Sequence, residues 1–306
     1  MDLLTIPKEI LFHILGFLDH HDILTVLSLS SSLTHLYNDE DFWHALVLTH
    51  NITYRIDNTT WRDLYTSNET LKMCPHLQLS HRDNLQRQPK RQWDEDTDRL
   101  LCLEPSCCSE LGNAAESSYY SNRNHDALHH RIALKLDQCQ FLTVWCSACQ
   151  TCLGKTKTEQ YLVHQIIQSL PFLDDPTFVR RRKEFEIRLL MANGTYIIDR
   201  AWFLAWTAYL RDANNEYPGV LDNSKLYRED GRLRSDIKLG EHFELIGQQA
   251  LSYIIRVYRL VGNDPVSSLE LQHQAEYCQV YHSLLLRQQM LYHRRYRGHP
   301  ILVLSE

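Results

Sequence analysis

The chain has 306 residues, of which 43% are hydrophobic, so it is long enough for about two folded domains with buried cores. Its formal net charge of -6 at pH 7 argues against a general nucleic-acid-binding protein, which needs a concentrated basic surface. The first residues carry Asp2 and Glu9 without a cationic start, and no apolar run has the length of a membrane span. We therefore expect neither a signal peptide nor a membrane anchor, and a location in the cytoplasm, the nucleus or both.

The first fifty residues contain three short apolar series at helical spacing. The first series is Ile10, Leu11, Ile14, Leu15 and Leu18, one stripe that we expect to be buried, and it follows Pro7, which suits a first helical turn. The second series opens at Asp22, which suits an N-cap, and the third begins near Asp39. Three such short helices cannot bury all of their apolar surface among themselves, so we expect part of it to remain as a partner-binding patch.

The spacing of these residues over positions 4–48 resembles the F-box motif. The resemblance implies a three-helix domain that binds the Skp-type adaptor of a cullin-RING ubiquitin ligase. The residues implied in adaptor binding are Ile6, Pro7, Ile10, Ile14, Leu18, Ile23, Leu27 and Trp43. The segment Trp61-Arg62-Asp63-Leu64-Tyr65 also resembles an element that often follows an F-box. The alternative is a helical cap packed on the rest of this chain.

Eight of the nine cysteines lie between Cys74 and Cys152. In a reducing compartment, clustered cysteines bind metal more often than they form disulfides. The step Cys74-x-His76 and the step Cys146-x-x-Cys149 can each supply two zinc ligands from one loop. We therefore expect one zinc ion at these four residues.

The same segment resembles the UBP-type zinc finger of ubiquitin-specific proteases, in its Cys74-Pro75-His76-Leu77 start and its Val144-Trp145-Cys146-Ser147-Ala148-Cys149 end. A second zinc site could use Cys102, Cys107 and one or two of His125, His129 and His130. No cysteine lies between His76 and Cys102, and the family's V-G-C-G and C-G-R steps have no counterpart here. The missing C-G-R step therefore argues against ubiquitin binding by this module, and ubiquitin is a candidate partner only in the scaffold alternative given below. The alternative is a domain with reduced cysteines that has kept its sheet and helix and lost its metals.

The second half has a compact α+β pattern. We expect a helix over 178–191 with Phe178, Phe185, Ile187 and Leu190 facing inward. A strand near Thr195–Ile198, a helix over Ala201–Leu210, a turn and strand over Lys238–Ile246 and a helix over Gln248–Tyr258 follow. From Ser268 to Arg297 an amphipathic helical pattern is expected to pack back on this domain. The alternative for its basic end is a role in nuclear import or in binding an acidic partner.

This order of elements resembles the DUSP domain of ubiquitin-specific proteases over residues 172–266. The most specific match is the loop Tyr217-Pro218-Gly219-Val220-Leu221-Asp222-Asn223. A DUSP is a binding module, so the resemblance implies partner contacts at Tyr217, Pro218, Gly219, Asp222 and Asn223. The alternative is a purely structural turn.

Together these patterns predict an α+β multidomain chain. Its predicted parts are an F-box at 1–50, a helical linker at 51–73, a zinc-finger-like α+β module at 74–154, a DUSP-like domain at 172–266, and a C-terminal helix and tail at 267–306. A cysteine protease of the ubiquitin-specific family needs Cys and His boxes on a papain-like domain, for which these modules leave no room, so we expect no enzymatic activity. The predicted function is a non-catalytic substrate-recognition subunit of an SCF-type ligase that binds target proteins. The alternatives are a scaffold that binds ubiquitin or a deubiquitinase outside any ligase and, more remotely, a degenerate enzyme.

Overall fold

The computed structural model describes residues 6–29, 33–87, 99–105, 107, 110–113, 130–139, 141–190, 194–212, 215–271, 277 and 280–286. The chain divides into two compact units, Met1–Arg182 and Lys183–Glu306. Within the described ranges, no helix combines the length and the apolar character needed to cross a membrane.

Helices make up the start of the first unit. They are α1 (Lys8–Leu15), α2 (His20–Leu29), the single turn α3 (Thr34–Tyr37) and α4 (Glu40–Thr49). The three predicted helices are thus present, with one additional turn. The predicted start near Asp39 is confirmed, because its carboxylate accepts hydrogen bonds from the backbone N–H groups of Asp41 and Phe42. The predicted cap of α2 at Asp22 is wrong, since Asp19 precedes the helix and accepts the N–H of Asp22 at 2.8 Å.

Trp43 is the centre of this helical core. It is fully buried, and its indole Nε1 donates to the backbone oxygen of Tyr37 at 2.9 Å. Its ring packs against Phe42 and against Tyr65 of the helix α5 (Trp61–Thr66). Helix α5 begins with a capping box of Thr60 and Asp63. Residues that are close together in the sequence are therefore enough to start this helix.

A five-stranded antiparallel sheet forms the middle of the first unit. Its strands are β1 (Arg99–Cys102), β2 (Glu110–Asn113), β3 (Ile132–Leu136), β4 (Thr143–Cys146) and β5 (Thr151–Cys152), in the order β2-β1-β3-β4-β5. The register pairs Cys102 with Ala133 and Ile132 with Cys146. The first unit also contains the helices α6 (Leu79–Arg87) and α7 (Lys157–Gln168), which pack against each other.

The helix α8 (Pro176–Leu190) begins in the first unit and ends in the second. The sequence predicts it within two residues at its start and one at its end. Phe178 and Phe185 are buried as expected. The inward placement of Ile187 is wrong, since 44% of this residue is exposed, and Leu189 is buried instead.

The second unit then alternates short strands and helices. Its elements are β6 (Tyr196–Asp199), α9 (Arg200–Arg211), β7 (Leu221–Asp222), a 3-10 turn (Ser224–Leu226), β8 (Phe243–Ile246), α10 (Gln248–Tyr258), β9 (Leu260–Val261) and α11 (Ser268–Leu271). Strands β6 and β8 pair antiparallel, and β7 and β9 pair in parallel. The predicted bounds of α10 are confirmed, and those of α9 are correct to one residue.

Residues after the last strand complete the core of the second unit. Leu271, Tyr277, Val280 and Leu284 are buried in one cluster with residues that include Ile197, Leu226, Leu233, Ile237 and Phe243. The described residues of the C-terminal helical pattern therefore pack on the preceding domain, and the rest of this pattern stays a prediction. The basic residues predicted at its end, Arg294, Arg295 and Arg297, lie outside the described residues.

Candidate functional site

A cluster of three cysteines and one histidine lies in the first unit. Cys74 and His76 come from the loop before α6, Cys146 ends β4, and Cys149 lies in the turn between β4 and β5. The four ligand atoms all lie within 4.8 Å of one another. The structure therefore brings together the four residues for which the sequence predicts a shared metal ion.

The distances in this cluster fit a tetrahedral metal ion. Zinc–sulfur bonds of about 2.3 Å and zinc–nitrogen bonds of about 2.0–2.1 Å in a tetrahedron separate two sulfurs by about 3.8 Å, and a sulfur and a nitrogen by about 3.6 Å. The Sγ atoms of Cys74 and Cys149 lie 3.7 Å apart. His76 Nδ1 lies 3.8 Å from the Sγ of Cys74, 3.5 Å from that of Cys146 and 3.4 Å from that of Cys149. The donor set and its spacing are thus those of a closed site with four protein ligands.

Hydrogen bonding separates the pKa values of the three thiols. The hydrogen bond between Cys74 and Cys146 raises the pKa of Cys74, and because it stabilises the Cys146 thiolate, it lowers the pKa of Cys146 well below its usual value. Burial raises the pKa of Cys149. Since metals bind thiolates, a metal that enters this cluster would release the protons that Cys74 and Cys149 retain.

Glu159 connects the loop that carries Cys74 to the loop that follows β5, a few residues after Cys149, and sequence reasoning missed it. This residue lies in the first turn of α7 and is only 2% exposed. Its carboxylate accepts backbone hydrogen bonds from Cys74, Gly154 and Lys155. No spacing rule identifies such a residue, because one of its partners precedes it by 85 residues and the other two by only four and five.

A second cluster contains Cys102, Cys107 and His130. The Sγ of Cys102 lies 3.6 Å from His130 Nδ1. Burial raises the pKa of Cys102. The group could hold a metal ion with three described ligands. Of the other two predicted ligands, His125 and His129, nothing is described.

Glu104 lies between Cys102 and Cys107 and fixes the loop that carries them. Its carboxylate accepts the backbone N–H of Arg131 at 2.9 Å and lies 3.4 Å from Nε2 of the buried His81. Burial by itself would raise the pKa of Glu104, but the close contact with His81 and the hydrogen bond from Arg131 outweigh it and lower the pKa. The second cluster is therefore held by α6 and β3 together.

The first helix of the chain presents apolar side chains on two faces. Leu11 and Leu15 are buried, whereas Ile10 is 53% exposed and Ile14 46% exposed. The single buried stripe expected for α1 is therefore wrong. Phe17, at 78%, and Leu18 continue the exposed face beyond the end of the helix. We call Ile10, Ile14, Phe17 and Leu18 the exposed N-terminal stripe.

The other residues predicted to bind an adaptor fall into two groups, those that reach the surface and those that are buried. Pro7 is exposed and Ile6 is partly buried. Ile23, Leu27 and Trp43 are buried in the helical core, where they support the shape of the domain and do not reach its surface.

The loop Tyr217–Asn223 of the second unit is held by contacts at its first residue and near its middle. Trp202 Nε1 donates to the backbone oxygen of Gly219 at 3.1 Å, and the ring of Tyr217 stacks on Tyr258 with centroids 5.0 Å apart. Gly219 has a φ of +70°, a left-handed conformation that favours glycine. Tyr217, Val220 and Asp222 are exposed, and Pro218 and Gly219 are partly so. Asn223 is fully buried.

Two family models match parts of the chain. Residues 3–49 match the F-box-like family, and residues 193–270 match the DUSP domain. The chain thus contains an F-box-like domain and a DUSP domain, both of them non-catalytic modules. Neither match reaches the two Cys/His clusters. No solved structure matches the chain.

Proposed function

We propose that this chain, which carries an F-box-like domain and a DUSP domain, is a non-catalytic substrate-recognition subunit of an SCF-type cullin-RING ubiquitin ligase. The F-box-like domain binds the Skp-type adaptor. The Cys/His module and the DUSP domain recruit the target protein, so the chain acts by bringing the target close to the conjugating enzyme.

The observation that carries this proposal is the exposed N-terminal stripe. A short helix that already packs Leu11 and Leu15 into its own core has no structural need for Ile10 and Ile14 on its outer face. Exposed apolar residues that lie next to one another are typical of a protein-binding surface. They lie inside the F-box-like match, whose family binds its adaptor through apolar helix contacts.

For target recruitment, we infer that the exposed part of the Tyr217–Asp222 loop is a contact surface. The aromatic ring of Tyr217 is fixed by stacking on Tyr258, so little side-chain entropy remains to be lost on binding. Asn223 is buried, so it stabilises the loop from the protein interior and does not belong to the contact surface.

We further propose that the cluster of Cys74, His76, Cys146 and Cys149 holds zinc. Four protein ligands occupy all four positions of a tetrahedral zinc ion and leave none for a substrate or a water molecule. The metal would therefore supply folding energy to the module and take no part in a reaction. The same metal is proposed for the second cluster, with Cys102, Cys107 and His130 as ligands.

The adaptor contact is tested by an Ile14→Asp variant. The chain is co-expressed with a Skp-type adaptor, and the complex is examined by gel filtration and by calorimetric titration. The wild-type chain should form a one-to-one complex. The variant should bind at least about 30-fold more weakly, since losing a central apolar contact costs about 2 kcal/mol.

Ile187→Asp is the matched control, because Ile187 is 44% exposed and lies in the second unit. It should leave the complex intact. A wild-type chain that stays alone in the presence of the adaptor would contradict the ligase function and favour a scaffold of the ubiquitin pathway.

A further inference from the structure

We propose that Glu159 is a positioning residue for the first metal cluster, which it holds in binding geometry by linking the backbone of the Cys74 loop to the loop between β5 and α7, which follows the Cys146–Cys149 turn. This inference rests on the proposed zinc at Cys74, His76, Cys146 and Cys149. It adds a residue that is not itself a ligand.

The two carboxylate oxygens of Glu159 serve different segments. Oε1 accepts the backbone N–H of Cys74 at 2.6 Å. Oε2 accepts the N–H groups of Gly154 at 3.0 Å and Lys155 at 2.9 Å. One side chain therefore links Cys74 to the loop between β5 and α7, which follows the turn that carries Cys149.

This tie matters because the ligand pairs are distant along the chain. Cys74 and Cys149 are 75 residues apart. Local chain geometry can hold Cys74 near His76, or Cys146 near Cys149, but it cannot hold one pair against the other. A contact between the two segments is required, and hydrogen bonds to a carboxylate are stronger than those between neutral groups.

Because Glu159 is buried, its carboxylate needs all three of these hydrogen bonds. A carboxylate that is 2% exposed is costly unless its oxygens are satisfied, and three backbone donors satisfy them here. The N–H of the buried Cys74 would in turn be left unsatisfied if the carboxylate were lost.

The carboxylate is not needed to start its own helix. Thr156 caps α7, because its Oγ1 accepts the backbone N–H of Glu159 at 3.2 Å. Helix capping and positioning of the ligands are therefore done by different residues. Thr156 stabilises the start of α7, and the Glu159 side chain links Cys74 to the loop after β5.

The test compares Glu159→Gln with Thr156→Ala in the full chain. Zinc content is measured by elemental analysis, zinc affinity by competition with a chromogenic chelator, and coordination by the visible absorption of Co²⁺ in place of zinc. Glu159→Gln keeps the shape of the side chain but exchanges one acceptor oxygen for a donor. We expect zinc affinity at this cluster to fall about 10- to 100-fold, the usual effect of losing a residue that orients metal ligands.

Thr156→Ala should weaken α7 and leave the zinc affinity and the Co²⁺ spectrum unchanged, because the carboxylate and its three donors remain. If both variants lower thermal stability alike and neither changes the zinc affinity, Glu159 is only a structural residue and the inference is wrong.

Glu159→Asp decides the question if Glu159→Gln does not fold. Its shorter side chain keeps the carboxylate but cannot reach both segments, so its zinc affinity should fall by an intermediate factor, and an affinity equal to that of the wild type would overturn the inference. A wild-type chain that holds no zinc at these four residues would overturn the metal proposal itself, which is a different result.

Discussion

Asn223 lies fully buried beneath the Tyr217–Asp222 loop, where its Oδ1 accepts the backbone N–H of Asp199 at 2.9 Å. Asp199 in turn accepts the N–H of Trp202 at 2.9 Å and so caps α9. A short chain of hydrogen bonds therefore connects the exposed loop to the start of a core helix. A side chain in this position stabilises the loop and has no access to a partner.

We expect Asn223→Ala to lower the free energy of unfolding of the second unit by about 1–3 kcal/mol, because it leaves the buried N–H of Asp199 without an acceptor. Hydrogen exchange of the backbone over 196–199 measures the change. Asp222→Asn is the matched control, since the exposed Asp222 side chain accepts the N–H of Ser224 and the amide oxygen of asparagine can do the same. Equal protection in Asn223→Ala and the wild type would contradict this role.

At the scale of elements, the part of α8 from Lys183 onward contributes to the fold of the second unit, although the DUSP match begins only at residue 193. Its Glu186 is fully buried and accepts hydrogen bonds from three side chains of later elements. The donors are Trp206 Nε1 at 2.6 Å, the Tyr253 hydroxyl at 2.9 Å and the Tyr258 hydroxyl at 2.5 Å. The helix thus supplies the acceptor that α9 and α10 need in their shared interior.

Glu186→Ala should destabilise the second unit by about 3 kcal/mol or more, since three buried donors lose one acceptor. Hydrogen exchange over Gln248–Tyr258 should rise accordingly. Glu184→Ala, an exposed glutamate on the same helix, should leave the exchange unchanged. If α8 can lose Glu186 without effect on α10, then the helix is only a linker.

At the scale of the whole molecule, the first unit depends on contacts between distant parts of its sequence. The loop at Cys74 and the turn at Cys146–Cys149 meet in one cluster, and α6 packs on α7 beside the sheet. The second unit has its own core, which includes Phe243 and Val280. A metal at the first cluster should therefore stabilise the first unit alone.

Removing the metal with a chelator should speed the hydrogen exchange of residues 141–170 at least about tenfold, which corresponds to about 1.4 kcal/mol of local stability. Exchange over Gln248–Tyr258 should not change. Cys149→Ser should reproduce the effect of the chelator, whereas Cys139→Ser, at an exposed cysteine outside both clusters, should not. Unchanged exchange over 141–170 after chelation would argue against a structural metal.

Much of the local structure follows from the sequence, because it depends on residues that are close along the chain. The periodicity of Leu251, Ile254 and Tyr258 is enough to place α10, and the carboxylate of Asp39 is enough to start α4. The Cys-x-His and Cys-x-x-Cys steps identify two ligand pairs for the same reason, since each pair lies in one loop.

Only the tertiary structure decides which side chains face inward and which distant groups meet. Ile14 and Leu15 are equally apolar, and only the packing of α1 on its neighbours exposes one and buries the other. Glu159 is an ordinary glutamate in the sequence, and it gains its partners because folding brings Cys74 to the start of α7. Burial and long-range hydrogen bonds depend on the whole fold. The sequence alone therefore determined the main helices, the two paired strands β6 and β8 and the ligand pairs, whereas the structure decided the exposed N-terminal stripe and the residues that hold the cluster together.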